Sequence, residues 1–348
     1  MRIRIANKSV GPEDPCFIIA EAGVNHNGDI NLAKKLIDIA SGAEVDAVKF
    51  QTFKAEDLVQ RDLKLVTYQK ENIRRDETQY DMLKRLELSL DDFRELKSYC
   101  DKKGIIFLST LHTNDDILEF MDNLLPAFKV GSGDLTNHIF LEKLAKKKKP
   151  ILLGTGMATI EEVIEAQNVI KDNGNDQIII LHATSNYPCP LDEVNLNAIK
   201  TMQNKLNCLV GYSDHTEGIL VAVLAVAFGA VVIEKHFTLN KNLPGPDHKA
   251  SLSPTELKNM TEAIRNAESA MGKFDKNPVK SEKELMKFAR KSLIAKTFIK
   301  KGTVINESMI AIKRPGTGLK PSKFYSIIGK RTIQDIKQDE ILQDYMFE

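Results

Sequence analysis

Residues 208–236 read CLVGYSDHTEGILVAVLAVAFGAVVIEKH. Read in order, they form a short apolar strand (CLVGYS, 208–213), an apolar helical stretch (Glu217–Phe228), a glycine stop at Gly229 and a second strand (AVVIEKH, 230–236). The apolar run Ile219–Ile233 is too short to span a bilayer and is interrupted by Gly229, so it reads as a buried helix running into a strand. Both strands end in reactive side chains, Ser213-Asp214-His215 and Glu234-Lys235-His236. The repeat of apolar strand, helix and apolar strand, with chemistry at the strand ends, sets the expectation for the rest of the chain.

The same rhythm fills the preceding residues. Further strand candidates are CFIIAE (16–21), DAVKFQ (46–51), IIFLST (105–110), AFKVGS (127–132), PILLGT (150–155) and QIIILHA (177–183). Helical patterns fall at Asn31–Ser41, Leu90–Lys103, Asn114–Asn123, Ile160–Asn173 and Pro254–Met271. Apolar runs without alternation indicate strands buried on both faces of a parallel sheet. Eight such units predict a closed (β/α)8 TIM barrel over residues 1–272. No GxGxxG follows the first strand, which argues against an open dinucleotide-binding sheet.

Two stretches break the rhythm. A polar segment, Lys54 to Thr78, is expected to drape over one mouth of the barrel. Residues 273–287 are charged and read as a linker. Beyond them, 288–348 switches to short strands and turns, a small β-rich module with twelve Lys/Arg against six Asp/Glu. The whole chain has 348 residues, 49 basic and 48 acidic, for a formal charge of +1, so the module's surplus cancels a mildly acidic barrel. That balance gives no global electrostatic reason to bind nucleic acid or a bilayer surface. With 42% hydrophobic and 28% charged residues, the composition is that of a folded protein. Cys16, Cys100, Cys189 and Cys208 form no CxxC and read as buried free thiols. The first residues lack a continuous apolar core of the signal-peptide kind, so a cytoplasmic protein is expected.

In such a barrel the active site lies at the C-terminal strand ends. There the sequence places Glu21, Lys49, Gln51, Thr110, Lys129, Ser132, Asp134, Ser185, Asn186, Tyr187, Ser213, His215, Glu234 and His236. His215 and His236 close neighbouring strands and are expected to approach one another and His26, a pair suited to Mn²⁺, Zn²⁺, Fe²⁺ or Co²⁺. His112, His138 and His248 read as surface or loop residues. Lys49 and Lys129 lie within apolar strands, and a buried ammonium needs an anion. That anion is either Glu21 or Glu234 in an internal ion pair, or a phosphate held with Thr110, Ser132 and Ser213; the hydroxyls favour phosphate.

The ordered motifs EAGVNHNGD, KFQTFKAE, FKVGSGD, TGMAT, ATSNYP, GYSDHT, EKHFTL and PGPDH resemble the sialic acid synthase family. The tail with KRPGTG resembles the antifreeze-like (SAF, β-clip) domain of that family. The resemblance implies condensation of phosphoenolpyruvate with an N-acetylated hexosamine, typically N-acetylmannosamine, to a nine-carbon sialic acid and phosphate. It implies a divalent metal, usually Mn²⁺, on His215 and His236, acting as Lewis acid on the sugar aldehyde. Phosphoenolpyruvate would be held by Lys49, Thr110, Lys129, Ser132, Ser185, Asn186 and Ser213, with Glu21 and Glu234 at the reacting centre. Gln51, Asp134, Tyr187 and Asp247 would contact the amino sugar, and Arg314 would arrive from the second subunit of a homodimer. The pattern departs from the sialate-forming one at Gly154, Ser185-Asn186, Asp134, Leu111-His112 and KFQTF, and the last of these resembles synthases of legionaminic acid. Other readings are a barrel condensing phosphoenolpyruvate with a phosphorylated sugar, and a non-catalytic carbohydrate- or ice-binding protein.

Overall fold

A computed structural model describes residues 1–73, 75–112 and 115–348. The chain divides into two units, Met1–Gly272 and Lys273–Glu348.

The first unit opens with a hairpin, β1 (Ile3–Ile5) paired antiparallel with β2 (Lys8–Val10). Eight parallel strands follow: β3 (Phe17–Gly23), β4 (Ala47–Thr52), β5 (Ile106–Leu111), β6 (Phe128–Val130), β7 (Ile151–Gly154), β8 (Ile178–Ala183), β9 (Leu209–Asp214) and β10 (Val232–His236). They close into a barrel, with β10 pairing both β9 and β3, so the expected (β/α)8 architecture forms. Helices Leu90–Lys103 and Pro254–Met271 fall where the pattern puts them, and Ile160–Asp172 and Ile30–Gly42 within one residue at each end. Ser89, Thr159 and Ser253 start three of these helices with capping boxes to Asp92, Glu162 and Glu256. The pattern at Asn114–Asn123 becomes Asp115–Asp122, with Asn114 itself outside the described residues.

Strand alternation divides each strand into an inward and an outward face. The inner cluster contains Phe17, Ile19, Ala47, Leu108, Ala127, Leu152, Ile179, Leu181, Leu209 and Val232, and the hairpin residues Ile3, Ile5 and Val10 pack onto it. The hairpin therefore covers the barrel floor. Two residues further along, the same faces carry Glu21, Lys49, Thr110, Lys129 and Glu234. Apolar floor and charged mouth thus come from one parity of residues. Gly211 is required in this interior, because a Cβ there would lie 2.6 Å from the Val232 carbonyl oxygen and 2.7 Å from Leu181 Cδ2.

The segment after β4 carries helices Ala55–Leu58, Thr67–Ile73 and Gln79–Leu86 rather than bare loop. Its own small core joins Leu65, Ile73, Met82 and Leu86 to Val24 and Phe53. Asn72 Nδ2 donates to the Pro246 carbonyl at 2.7 Å, which ties the segment to the loop after β10. Helices His138–Lys146, Asn197–Leu206 and Leu220–Ala227 complete the outer layer; the last is shorter than the expected Glu217–Phe228, because Gly218 at φ +71° holds a bend before it. Among the described residues no helix is long and apolar enough to cross a membrane.

The first helix of the second unit, Lys280–Ala289, occupies the latter half of the stretch 273–287 expected as a linker and runs two residues past it. Strands β11 (Ser292–Ala295) and β12 (Ile310–Lys313) pair antiparallel. Isolated bridges Ile294↔Ile341, Ile299↔Ile336 and Val304↔Arg331 extend the β character. Leu293, Ile299, Ile305, Ile310, Ile336, Leu342 and Phe347 form a separate core.

Candidate active site

Four charged side chains meet at the C-terminal mouth. Lys49 Nζ lies 2.6 Å from Glu21 Oε2 and 3.6 Å from Glu234 Oε2, and Lys129 Nζ lies 3.3 Å from Glu234 Oε1. All four are buried. Lys49 also donates to Thr110 Oγ1, Ser213 Oγ donates to Glu234 Oε1 at 2.9 Å, and Gln51 Nε2 donates to Glu21 Oε1 at 3.1 Å. The internal ion pairs with Glu21 and Glu234 therefore form, and of the three expected hydroxyls Thr110 touches Lys49, Ser213 touches Glu234 and Ser132, among the described residues, touches neither lysine.

The two carboxylates differ. Burial pushes the Glu21 carboxyl up, against the pull of Lys49. Burial acts on Glu234 in the same direction, but Lys129 and Lys49 outweigh it and hold that carboxyl well below the usual range. Lys129 is itself lowered, by burial against the field of Glu234.

Beside this cluster stand the histidines. The His215 and His236 rings lie 5.9 Å apart between centroids, and Tyr187 stacks 4.2 Å from His215. His215 Nδ1 meets the Thr184 carbonyl at 2.7 Å, which leaves Nε2 facing the Tyr187 hydroxyl at 3.2 Å and Ser213 Oγ at 3.5 Å. Nδ1 of His236 is buried with no hydrogen-bond partner. Burial lowers both imidazoles, that of His236 further with His215 beside it, which favours the neutral ring in each. Two neutral imidazoles with an orphaned ring nitrogen are the donor set that a divalent cation takes from a protein when water and substrate supply the rest. Among the described residues no group of three or more His, Cys, Asp or Glu side chains converges to bind a metal unaided.

A third cluster lies across the mouth. Gly156 N donates to Ser132 Oγ at 2.9 Å, and a Cβ on Gly156 would lie 2.1 Å from Ser185 Oγ. Ser132, Ser185 and the Gly156 turn thus form one close-packed polar cluster. Asn186 is exposed, with its amide 3.5 Å from Glu193. Asp134 meets His112 Nδ1 at 3.3 Å and accepts from Asn137 at 3.2 Å. Asp247 is half-buried in the loop after β10, and burial with the charge of Glu21 pushes its carboxyl up to about 7. Arg314, in the second unit, is exposed after β12 and makes no ion pair among the described residues.

Two expectations need correction. His26 does not join the histidine pair: its ring lies 6.0 Å from Phe50, a residue of the helix-facing core, and its Nδ1 accepts from Gly28 N. The tight turn after β3 carries it away from the mouth. His248, expected as a surface or loop residue, does lie in the loop after β10 but is fully buried there, bridging Thr238 Oγ1 at 2.6 Å and Asn27 Oδ1 at 3.2 Å. The contact of His112 with Asp134 carries no local signal in the sequence, because it joins loops after two different strands, whereas the glycine turn Gly154-Thr155-Gly156 is legible there as a source of backbone amides.

A parallel barrel with a buried charged mouth, followed by a small β module, is an enzyme architecture. The chain belongs to the NeuB family, whose model matches residues 36–276, and a SAF domain matches residues 290–348. It is 46% identical over 330 residues to the N,N'-diacetyllegionaminic acid synthase of Campylobacter jejuni, covering 94% of this chain and 99% of that protein. It is 35% identical over 338 residues to the human N-acetylneuraminate-9-phosphate synthase, covering 96% and 93%. Among solved structures, the N-acetylneuraminic acid synthetase of Leptospira borgpetersenii superposes with a TM-score of 0.73 at 32% identity, covering 82% of this chain and 95% of that one. Both of these curated relatives are synthases, and each match runs along nearly the whole chain.

Proposed function

We propose that this protein condenses phosphoenolpyruvate with an N-acetylated amino sugar to a nine-carbon sugar acid and inorganic phosphate. The observation that carries the reading is the convergence of buried Lys49 and Lys129 on Glu234 at the barrel mouth. Two ammonium groups held there by carboxylates can be turned toward an incoming trianion, and Glu21, whose carboxyl is already raised, can take up a proton as negative charge enters. Ser132, Ser185 and the Gly156 turn face the phosphate, Thr110 orients Lys49 and Ser213 orients Glu234. This geometry favours Ser185 over exposed Asn186 as the ligand contact.

C3 of phosphoenolpyruvate attacks the sugar aldehyde, whose oxygen becomes a hydroxyl. Positive charge develops at C2, where ionised Glu234 stabilises it. Water adds at C2, one of its protons balancing the one taken up by the sugar oxygen; the C2–O bond to phosphate then breaks as the C2 hydroxyl gives its proton to the departing phosphate, and a ketone and inorganic phosphate result. Lys49 and Lys129 neutralise the phosphate throughout. His215 and His236 would hold a divalent cation, probed as Mn²⁺, which when bound supplies Lewis-acid polarisation of the aldehyde. Tyr187, Gln51, Asp134 and Asp247 line the acceptor side, and Arg314 of a second copy completes it in a homodimer.

The acceptor adopted here is 2,4-diacetamido-2,4,6-trideoxymannose, giving N,N'-diacetyllegionaminate. The KFQTF motif and the 46% against 35% identities support it. N-acetylmannosamine, giving N-acetylneuraminate, is the second reading, favoured by the ordered motifs shared with sialic acid synthases. The test is phosphate release from phosphoenolpyruvate with each sugar and with N-acetylmannosamine 6-phosphate, in Mn²⁺ and in chelator. The diacetamido sugar should give the highest kcat/KM, and chelator or His215→Ala should abolish it. Turnover only with the 6-phosphate, or none with any sugar, overturns the proposal.

A further inference from the structure

Ser213 and Glu234 face the mouth, whereas their chain neighbours Asp214 and Lys235 point the other way, into the helix-facing layer with Tyr212 and Ile233. The strand register pairs Ser213 with Glu234 and Asp214 with Lys235. The outer pair is an ion pair of 2.7 Å with side-chain exposures of 1% for Lys235 and 0% for Asp214. Lys235 Nζ also donates to the Thr216 carbonyl at 2.7 Å. Asp214 Oδ1 accepts from Thr216 N at 2.9 Å and from Thr216 Oγ1 at 2.8 Å, with the Tyr212 hydroxyl at 3.5 Å. The turn that carries His215 is therefore tied through both backbone groups of Thr216, and the tie reaches the residue just before His236.

A buried ion pair contributes little stability over an apolar pair of the same volume. Its directional contacts do supply geometry, and here they span the two strands that bear Ser213, His215, Glu234 and His236. We propose that Asp214 and Lys235 are positioning residues: a clamp behind the site that fixes the His215 turn against the end of β10 and so sets the spacing of the two imidazoles and the Ser213–Glu234 contact. The proposal rests on reading this mouth as the active site, but its geometry can be measured without substrate.

The test uses the full-length double variant Asp214→Asn/Lys235→Met. It removes both charges together and keeps an acceptor for Thr216. Three measurements are made: the thermal midpoint, the affinity for Mn²⁺ alone by calorimetry, and the crystal structure. The midpoint should stay within a few degrees of wild type. The Mn²⁺ Kd should rise at least about tenfold, and the ring separation should depart from 5.9 Å. Thr216→Val, which removes one hydrogen bond and keeps the pair, should raise Kd by roughly threefold to tenfold and covers the case of a double variant that does not fold. Unchanged ring geometry with unchanged Mn²⁺ affinity overturns the clamp, as does a loss of stability alone. If the wild type releases no phosphate from phosphoenolpyruvate, the proposed function fails while ring geometry still judges the clamp.

Discussion

Gly156→Ala isolates the phosphate side of the site. The backbone of Gly156 lies outside the left-handed region, so alanine meets no conformational penalty there. Its Cβ, however, would lie 2.1 Å from Ser185 Oγ and 3.0 Å from Ser132 Oγ. Ser185 is only half-buried, so its hydroxyl can rotate away at a cost of about 0.5–1.5 kcal/mol to the fold, while its Cβ, 3.2 Å from the added methyl, must also give by a few tenths of an ångström. The ligand pays more, because a hydroxyl turned from a charged phosphate forfeits about 1.5–3 kcal/mol. That corresponds to roughly a tenfold to 150-fold rise in KM for phosphoenolpyruvate, with the sugar KM little changed. Gly133→Ala is the control, since a Cβ there meets nothing within 4 Å. Phosphate release measured against phosphoenolpyruvate concentration reads both variants. A KM within twofold of wild type for Gly156→Ala, or an equal rise for Gly133→Ala, would refute the phosphate cradle.

Three further outcomes are expected. Lys49→Met strands Glu21 beside Glu234 and should destabilise the barrel by about 3 kcal/mol in denaturant titration, less at acid pH where Glu21 can protonate. Asp247 titrates near 3.9 when unfolded and at about 7 in the fold, so the folded state holds the extra proton. Its contribution is most favourable below the unfolded value, fades as pH rises toward 7 and is flat above. Asp247→Asn should therefore gain stability relative to wild type between pH 4 and 8, by no more than about 4 kcal/mol and less for the part of the carboxyl that faces water. A thermal midpoint difference that does not vary with pH would contradict this. Arg314→Ala should raise the sugar KM about tenfold or more and leave the phosphoenolpyruvate KM nearly unchanged; equal rises in both would remove Arg314 from the acceptor side.

The strands were legible because strands covered on both sides write continuous apolar runs, and the charged mouth because Lys49, Lys129 and Glu234 interrupt those runs at their ends. The floor hairpin escaped notice since its three-residue strands, Ile3–Ile5 and Lys8–Val10, are too short for periodicity to register. Helix Asn197–Leu206 was missed for a related reason: its N-terminal side chain makes no cap, and only Ile199, Met202 and Leu206 are buried. His26 shows the limit within a motif. In NHN the letters suggest a ligand, but the turn after β3 sends the ring to Phe50, outside the barrel.

By itself the sequence determined the alternation of strand and helix, the basic character of the last module, and the residue types gathered at the mouth. These are local properties, set by which side chains can share one face. Only closure of the barrel decided that Glu21 and Glu234 share Lys49, that His215 and His236 stand apart from His26, and that Asp214 and Lys235 meet behind the site. Alternation separates the two faces of a strand, but which face turns inward and which residues of its neighbour lie opposite are set by shear and register, quantities that exist only once the sheet has closed.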